Sequence, residues 1–569
     1  MKRLIAAALA CLALAACSAI PASGPVETGV SDVSAPNAFS PILPGPTPGA
    51  TTSAIVQGFL TAASGGSVNG FDVAREYLTP AASSGWDPLA RVTVFDSREV
   101  FLGPGETSDT FTYKVPVAAR VDANGVLVEA SPNEQTTLKF GVTTDAEGNS
   151  RISSLENGIV MSAADFARYY RAVKLLFVSK DNATIVPELR WFPSNDQIAT
   201  ATARELVKGP SQWLADAVNT GFPPGSSLNV DAVVVANGVA TVTLAAGSAG
   251  DAAQRSLAGE QLRLTLIQLP AVQKVVTTVG ALPLAGDSSA TPQVATLPDP
   301  RAAVIAGGRL GMWDGTAVKV TPAAVGVVPA GVTGLALSYD TKRVAMVLDG
   351  SVVTSTALSD APTLEAPPAN PDAPGGPVIH TATLVKGRNL VAPTFDPYGW
   401  LWTTETLSDG TITVAGPDGA LAQLAAPPLA GRTIQALAVS RDGARVAVLS
   451  RASGVQVLEV MAVVRGKASE PLALGATLAL GPTVPESIHV AWLDDVTVAA
   501  LGADSSRIST VEVGGWTTDV TAPAGATSIT ARNGVPTLLA VGGGGVLVAR
   551  RGNSWDIKAP NVSEVAFAG

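Results

Sequence analysis

Cysteine and histidine are almost absent from this chain of 569 residues. Its two cysteines, Cys11 and Cys17, both lie near the amino terminus, so no disulfide and no thiolate metal site can form in the remainder. The two histidines, His380 and His489, lie far apart within apolar, strand-like stretches. We interpret both as structural residues, and a metal site shared by the pair is the alternative.

Charged and aromatic residues are also scarce, at 15% and 5% of the chain, and the net charge is −10. The chain has no cluster of Lys and Arg of the kind that binds phosphates, which argues against nucleic acid as a partner. The abundant Ala, Val, Gly, Thr and Pro favour strands and turns over long surface helices. Beyond the amino terminus, no segment reaches the roughly 18 apolar residues of a membrane span.

The amino terminus has the form of an export signal, because two basic residues precede an apolar run from Leu4 to Leu14. The run ends in the tetrapeptide Leu-Ala-Ala-Cys, which resembles the bacterial lipobox. This resemblance implies that residues 1–16 are removed as a lipoprotein signal peptide, together with Cys11. It also implies that Cys17 carries S-diacylglycerol and N-acyl groups, which would anchor the chain stably. A plain signal peptide with a chance cysteine is the alternative.

The next two segments predict a tether and an α+β domain. Residues 17–51 are rich in Pro, Gly, Ser and Ala and have no periodicity, which is typical of a tether. An ordered loop packed on the first domain is the alternative. Residues 52–171 predict two helices, the second stopped near Pro80, then alternating strands and a closing helix with Ser162 and Asp165 at capping-box spacing. This order is similar to the NTF2-like fold.

Residues 172–298 predict a second α+β domain. A strand pair is followed by a helix with a capping-box start at Ser194–Gln197, a hairpin at Asn237-Gly238, a helix from Gly259 and a last strand. The segments LLFVSKDNATIVPELR, ARELVKGP, NGVATVTL and LIQLPAVQKV resemble the GerM-type domain of sporulation and germination proteins. That resemblance implies a domain that binds or scaffolds, without catalytic residues.

Residues 299–569 repeat a pattern of an apolar strand, a turn with Asp, Asn or Gly, and another apolar strand. The turn residues are spaced by 56, 46, 52 and 39 positions, close to the roughly 40–50 residues of a propeller blade. We therefore predict an all-β propeller of six blades. Five or seven blades, or a pair of β-sandwiches, are the alternatives. The turn residues are Asp340, Asp396, Asp442, Asp494 and Asn533.

No residue of this region is assigned a catalytic, metal-binding or cofactor-binding role. Recurring turn aspartates indicate architecture, since catalysis needs one set of residues, and calcium binding is the alternative. Asp494 and Asp495 are adjacent on a strand-like segment and point to opposite faces, so they cannot flank one glycosidic bond. The tryptophans are expected to pack between blades, with some on a binding face: Trp313, Trp400, Trp402, Trp492, Trp516 and Trp555.

Taken in order, the lipobox, tether, α+β domain, GerM-type domain and propeller resemble the actinobacterial LpqB lipoprotein family over essentially the whole chain. The resemblance transfers one functional residue, Cys17, and implies an anchor in membrane lipid on the outer face of the cytoplasmic membrane. It further implies a non-enzymatic accessory role, without cofactors, toward the MtrA–MtrB two-component system through the extracellular part of the sensor kinase.

Two other functions stay open at this point. One is a propeller that senses a small ligand in its channel, and the other is a hydrolase of envelope glycan or peptide. Two carboxylates converging in the channel would favour the hydrolase. A lining of small and apolar residues would favour binding.

Overall fold

The computed structural model describes residues 43–569 except positions 97–99, 106–108, 230–231, 249, 281, 285–291, 321–326, 359–380, 483 and 485. The predicted signal peptide, Cys17 and His380 lie outside the described residues.

The first domain is built on one sheet around a long strand. Its strands are β1 (Arg91–Phe95), β2 (Phe101–Pro104), β3 (Thr110–Asp122), β4 (Leu127–Glu129), β5 (Gln135–Thr144), β6 (Ser150–Ser154) and β7 (Ile159–Ser162). β3 pairs with β1 and β2 along one edge and with β4 and β5 along the other, in a sheet of order β6-β5-β3-β1-β7. Buried and more exposed residues alternate along β3, so one face of the sheet packs on the helices.

Four helices complete this domain: α1 (Thr52–Gly65), α2 (Asp72–Arg75), α3 (Pro80–Gly85) and α4 (Ala163–Tyr169). The second predicted helix, α2, does end before Pro80, but already at Arg75, and Pro80 itself begins the separate helix α3 behind its cap residue Thr79. Proline fits a first helical turn, where no N–H is needed. The predicted cap of α4 is confirmed, since the Ser162 hydroxyl accepts the Asp165 N–H.

The predicted tether extends too far. The Tyr77 hydroxyl donates to the Pro44 carbonyl at 2.9 Å, and Ala50 packs on the core of the first domain. The stretch from Pro44 onward is therefore the ordered loop that composition left as the alternative. A proline-rich segment becomes ordered where its carbonyls find donors and its apolar groups find a core.

The described residues of the second domain form two sheets and two α-helices around one core. The sheets have the orders β10-β8-β9 and β11-β12-β13-β14, and the parallel pair β12–β13 is connected through α6. β8 begins two residues before the predicted boundary of this domain. The elements are β8 (Tyr170–Ser179), β9 (Ile185–Pro193), α5 (Ile198–Lys208), β10 (Val218–Asn219), β11 (Val234–Ala236), β12 (Val239–Leu244), α6 (Ala252–Leu266), β13 (Lys274–Val279) and β14 (Leu282–Pro283).

Both helix starts in this domain differ from the predictions. Helix α6 begins seven residues earlier than Gly259, because Asp251 and Gln254 form a reciprocal capping box. The capping box predicted for α5 is wrong. The helix begins after Gln197, which makes no side-chain cap. The side-chain amide of the nearby Asn195 donates to the Ser67 carbonyl of the first domain, and its carbonyl oxygen accepts the Gln197 N–H.

The described strands of the third domain form six four-stranded sheets, of which two are joined through the single pair Ala425–Ala473. Each sheet is a blade. Blade 1 contains β15 (Ala302–Ala306), β16 (Arg309–Trp313), β17 (Val318–Val320) and the last strand of the chain, β38 (Val562–Ala566); blade 2 contains β18 (Val332–Leu337), β19 (Arg343–Leu348), β20 (Val352–Ala357) and β21 (Ala382–Lys386). Blade 3 contains β22 (Thr394–Phe395), β23 (Leu401–Thr403), β24 (Thr411–Ala415) and β25 (Leu421–Ala425); blade 4 contains β26 (Thr433–Val439), β27 (Arg445–Ala452), β28 (Val455–Arg465) and β29 (Pro471–Leu480). Blade 5 contains β30 (Ser487–Trp492), β31 (Thr497–Gly502), β32 (Arg507–Glu512) and β33 (Thr517–Thr521); blade 6 contains β34 (Ser528–Ala531), β35 (Leu538–Gly542), β36 (Val546–Arg551) and β37 (Ser554–Ala559).

Blade 1 is assembled from both ends of the domain. The last strand, β38, pairs antiparallel with β15 and becomes the innermost strand of that blade. The repeat starting at Ala302 therefore supplies the second, third and fourth strands of its blade, whereas the other repeats start with the innermost strand. The six innermost strands, β38, β18, β22, β26, β30 and β34, each contact the next and close a ring, which leaves no open end to the array of blades.

We expect the variant Val565→Ala to destabilise the propeller by about 2 kcal/mol. Val565 is only 5% exposed and packs in the core between blades 6 and 1, so truncation removes apolar contacts where the ring closes. The midpoint of urea unfolding, followed by tryptophan fluorescence, measures the effect. Ser563→Ala, at an exposed position of the same strand, is the control, and equal midpoints for the two variants would contradict the closure role.

Candidate functional site

The recurring aspartates fix the turns between the first and second strands of blades 2 to 5. One carboxylate oxygen of each accepts the backbone N–H two positions further on, at 2.9–3.1 Å, which is an Asx turn. The architectural prediction for these residues is therefore confirmed. Asn533 in blade 6 differs, since its own N–H donates to the Thr537 hydroxyl. The aspartates are Asp340, Asp396, Asp442 and Asp494.

One of these turns also connects the propeller to the second domain. Arg445 is 1% exposed and pairs with the equally buried carboxylate of Asp442. Its guanidinium further donates to the Pro187 carbonyl of β9 at 3.3 Å and to the Asp495 carbonyl at 2.6 Å. A charge buried in this way is stable only while its partner and its hydrogen bonds persist.

Further contacts link the first and second domains to the same side of the propeller. The Trp191 indole N–H donates to the Gly514 carbonyl at 2.9 Å, and Thr517 donates to the carboxylate of Glu129. The Trp516 ring lies 5.9 Å from the Phe166 ring. These propeller residues lie at turns between first and second or third and fourth strands. We call this side of the propeller the floor face.

Asp495 has a different role from its neighbour Asp494. The Lys174 ammonium of β8 lies 2.8 Å from its carboxylate, so the two adjacent aspartates serve a blade turn and a domain contact separately. The tryptophans likewise serve either packing within the propeller or contact with another domain. Trp313, Trp402 and Trp492 are buried in the propeller as predicted, whereas Trp516 contacts the first domain, a role that the repeat pattern did not indicate.

A cavity of about 520 Å³ runs along the axis of the propeller, between the six innermost strands. Residues at the beginning of these strands, such as Ile488 and Thr527, are exposed, whereas Trp492 and Ala531 at the ends are buried. The cavity therefore opens on the face opposite the floor face. We call that side the mouth face; it carries the turns between second and third strands and the connections between blades.

Side chains and the carboxyl-terminal residues close the other end of the cavity. The Arg441 guanidinium donates to the carbonyls of Leu493 and Ala531 at 2.8 and 3.3 Å, which spans blades 4, 5 and 6. The Gly569 N–H donates to the Leu337 carbonyl of blade 2. Burial lowers the pKa of Arg441 and raises that of the neighbouring Tyr339.

Glu564 is the one acidic side chain among the described residues that line the cavity. It lies on β38, and burial raises the pKa of its carboxyl to about 7. His489 lies on β30; burial lowers its pKa to about 4, so its imidazole is neutral at physiological pH, and its Nδ1 has no hydrogen-bond partner among the described atoms. The paired carboxylates that would favour a hydrolase are not found in this lining, where small and apolar residues predominate.

The mouth face also presents apolar side chains to solvent. Leu407 and Val455 are 70% and 66% exposed, and Val327 and Ile488 are about 40% exposed. Each lies in a turn or at a strand end on the mouth side. Exposed apolar groups around an opening are typical of surfaces that bind another molecule. None of the helices in the described part of the chain is long and apolar enough to cross a bilayer.

Three protein-family models match the chain in succession. The N-terminal domain of lipoprotein LpqB matches residues 45–167, the sporulation and spore germination (Germane) domain matches residues 174–280, and the β-propeller domain of lipoprotein LpqB matches residues 373–565. The second match confirms the GerM-type resemblance. Together with the ring of blades, the matches define a multidomain protein with a carboxyl-terminal β-propeller.

Curated relatives from actinobacteria match along most of the chain. A protein of Thermobifida fusca is 29% identical over 88% of this chain and 87% of its own length. One from Cutibacterium acnes is 26% identical, over 88% and 86%, and one from Streptomyces coelicolor is 27% identical, over 91% and 89%. All three are named lipoprotein LpqB. The chain belongs to the LpqB lipoprotein family, as its order of domains predicted.

Among solved structures, TolB from Acinetobacter baumannii is 14% identical, with a TM-score of 0.34 over 48% of this chain and 68% of its own. The likeness is distant. The six blades follow from the strand pairing of this chain alone.

Variants of two ion pairs, one buried within a blade turn and one between the propeller and the second domain, should differ sharply in cost. Arg445→Met leaves the buried Asp442 carboxylate without its counter-ion, and we expect a loss of about 3–5 kcal/mol. Lys174→Met removes an ion pair whose side chains are 34% and 36% exposed, and we expect a loss below about 1 kcal/mol. Urea unfolding of both variants measures the difference. Equal losses would contradict the burial argument.

The half-buried carboxyl of Glu564 should make stability depend on pH. Its folded pKa of about 7 lies above the ordinary value, so between roughly pH 4.5 and 7 the folded state holds a proton that the unfolded state releases. Stability from this group is present at low pH and is lost as pH rises through 7. We expect Glu564→Gln to match the parent at pH 4.5 and to exceed it by up to about 3 kcal/mol at pH 8.

The measurement is the difference in unfolding free energy between the parent chain and Glu564→Gln across this pH range. Both chains keep His489, Tyr339 and Arg441, so the other titrating groups of the cavity cancel in the difference. A constant difference would show that Glu564 is solvated as an ordinary surface carboxylate.

Proposed function

We propose that this chain is a non-enzymatic accessory lipoprotein of the cell envelope, held by lipid on Cys17 at the outer face of the cytoplasmic membrane. In this proposal it engages the extracellular part of a membrane sensor kinase of the MtrA–MtrB type and modulates its signalling. Family membership supports the lipoprotein role. The observation that most supports the proposed contact is the difference between the two faces of the propeller. The floor face contacts the chain's own domains, whereas the mouth face presents apolar side chains to solvent.

The anchor would act by confining the chain near its partner. Two acyl chains hold a protein stably on a membrane, whereas one chain binds reversibly. Confinement to a thin layer raises the effective concentration of a tethered protein, up to about the millimolar range for short flexible linkers. A weak contact at the mouth face would then suffice for association with a receptor in the same membrane.

The contact itself would depend on the apolar residues of the mouth face. Leu407 belongs to blade 3 and Val455 to blade 4, so the two flank one side of the opening. Apolar residues at the centre of an interface contribute most of its binding energy when they are desolvated by the partner. A charge at either position would oppose that desolvation.

We expect the double variant Leu407→Glu, Val455→Glu to reduce capture of the sensor kinase about tenfold or more in crosslinking of intact cells. The Cys17→Ala variant should leave the membrane fraction and weaken signalling more than it weakens contact with the kinase's extracellular part in solution. Quantitative mass spectrometry of crosslinked partners and a reporter of kinase output measure the two effects.

Ile557→Glu provides the matched control, because Ile557 is 74% exposed but lies on β37, the outermost strand of blade 6. It should retain full capture. Undiminished capture by the double variant would remove the mouth face from the proposal. A Cys17→Ala chain that is soluble and fully active would overturn the tethering mechanism.

A further inference from the structure

The cavity of the propeller has the dimensions of a ligand site that is closed at one end. Its volume of about 520 Å³ lies within the range of roughly 300–1,000 Å³ that is usual for small-molecule pockets. Arg441 and the carboxyl-terminal residues close the floor end, and the mouth end is open to solvent. A small molecule entering from the mouth face would be enclosed on all sides but one.

The wall supplies hydrogen-bonding groups through the backbone. Each innermost strand pairs with the second strand of its blade, so its other edge faces the cavity. Strand edges present N–H and C=O groups, which a ligand with hydroxyl groups can bond.

Glu564 gives the wall its chemical preference. No hydrogen bond or ion pair joins its carboxylate to a described residue, and burial is the sole cause of its altered pKa. The Arg441 guanidinium is held by two carbonyls at the floor end, and His489 is neutral. A buried carboxylate that lacks a counter-ion is stabilised by a cation that brings its own hydrogen-bond donors.

We propose that this cavity is a binding site for a small hydroxylated amine, whose ammonium group pairs with the Glu564 carboxylate while its hydroxyls bond the exposed strand edges. The site is independent of the proposed contact with a kinase, since it lies inside the ring and involves neither Leu407 nor Val455. It would give the propeller a ligand-sensing function in addition to any partner on the mouth face.

Three probes with the same cyclohexane ring test whether binding requires a positive charge on the ligand. They are trans-4-aminocyclohexanol, trans-1,4-cyclohexanediol and trans-4-hydroxycyclohexanecarboxylate, which carry an ammonium, a neutral hydroxyl and a carboxylate at the same position. Calorimetric titration of the full-length lipoprotein in non-ionic detergent at pH 8 measures their affinities. We expect the amine to bind about tenfold or more tightly than the diol, and the carboxylate to bind least.

Glu564→Gln keeps the shape of the side chain and removes its charge. This variant should therefore bind the amine and the diol with about equal affinity. Because this variant loses a buried charge, it should fold at least as well as the parent at pH 8, and its thermal unfolding checks this. Ser563→Ala, on the same strand and exposed, should keep the full preference.

Equal affinities for amine and diol in the parent chain would overturn the proposal, as would an amine preference that survives in Glu564→Gln. Absence of binding by any probe up to about 10 mM would overturn it as well.

Discussion

The pairing of β38 with β15 is the interaction on which the rest of the propeller depends. It brings the last strand of the chain into the first blade, so the six innermost strands contact one another in a closed ring. An open array would leave an unpaired edge at each end, with N–H and C=O groups exposed and apolar faces of blades 1 and 6 uncovered. Closure removes both costs at once and also creates the axial cavity.

The same pairing decides what lies inside that cavity. It places Glu564 on the wall and lets the residues after it cross the floor end, where the Gly569 N–H reaches blade 2. The enclosing blades restrict water, which is why burial raises the pKa of Glu564 and lowers that of His489. Among the described side chains that line the cavity, Glu564 is the one acidic group, and no neighbouring side chain compensates its charge, a feature that suits binding better than two-carboxylate hydrolysis.

Contacts at the floor face join the propeller to the preceding domains. Buried Arg445 connects a blade turn to β9, Trp191 donates to a turn of blade 5, and Glu129 of the first domain accepts from Thr517. The Arg445 guanidinium is buried, and it loses one of its acceptors if the domains separate. The three domains are therefore coupled, and a partner bound at one of them would be held in a defined orientation relative to the others.

Local patterns in the sequence were sufficient for the order of domains, the hairpin at Asn237-Gly238, the cap of α4 and the turn aspartates, because each depends on residues a few positions apart. The proposal that Cys17 carries lipid likewise rests on its immediate neighbours, which resemble a lipobox. Only the tertiary structure decided that β38 closes blade 1, that Asn195 bonds the first domain, and that Glu564 lines the cavity without a counter-ion. These features depend on groups that are brought together from distant parts of the chain, where periodicity and spacing contain no information about distance or burial.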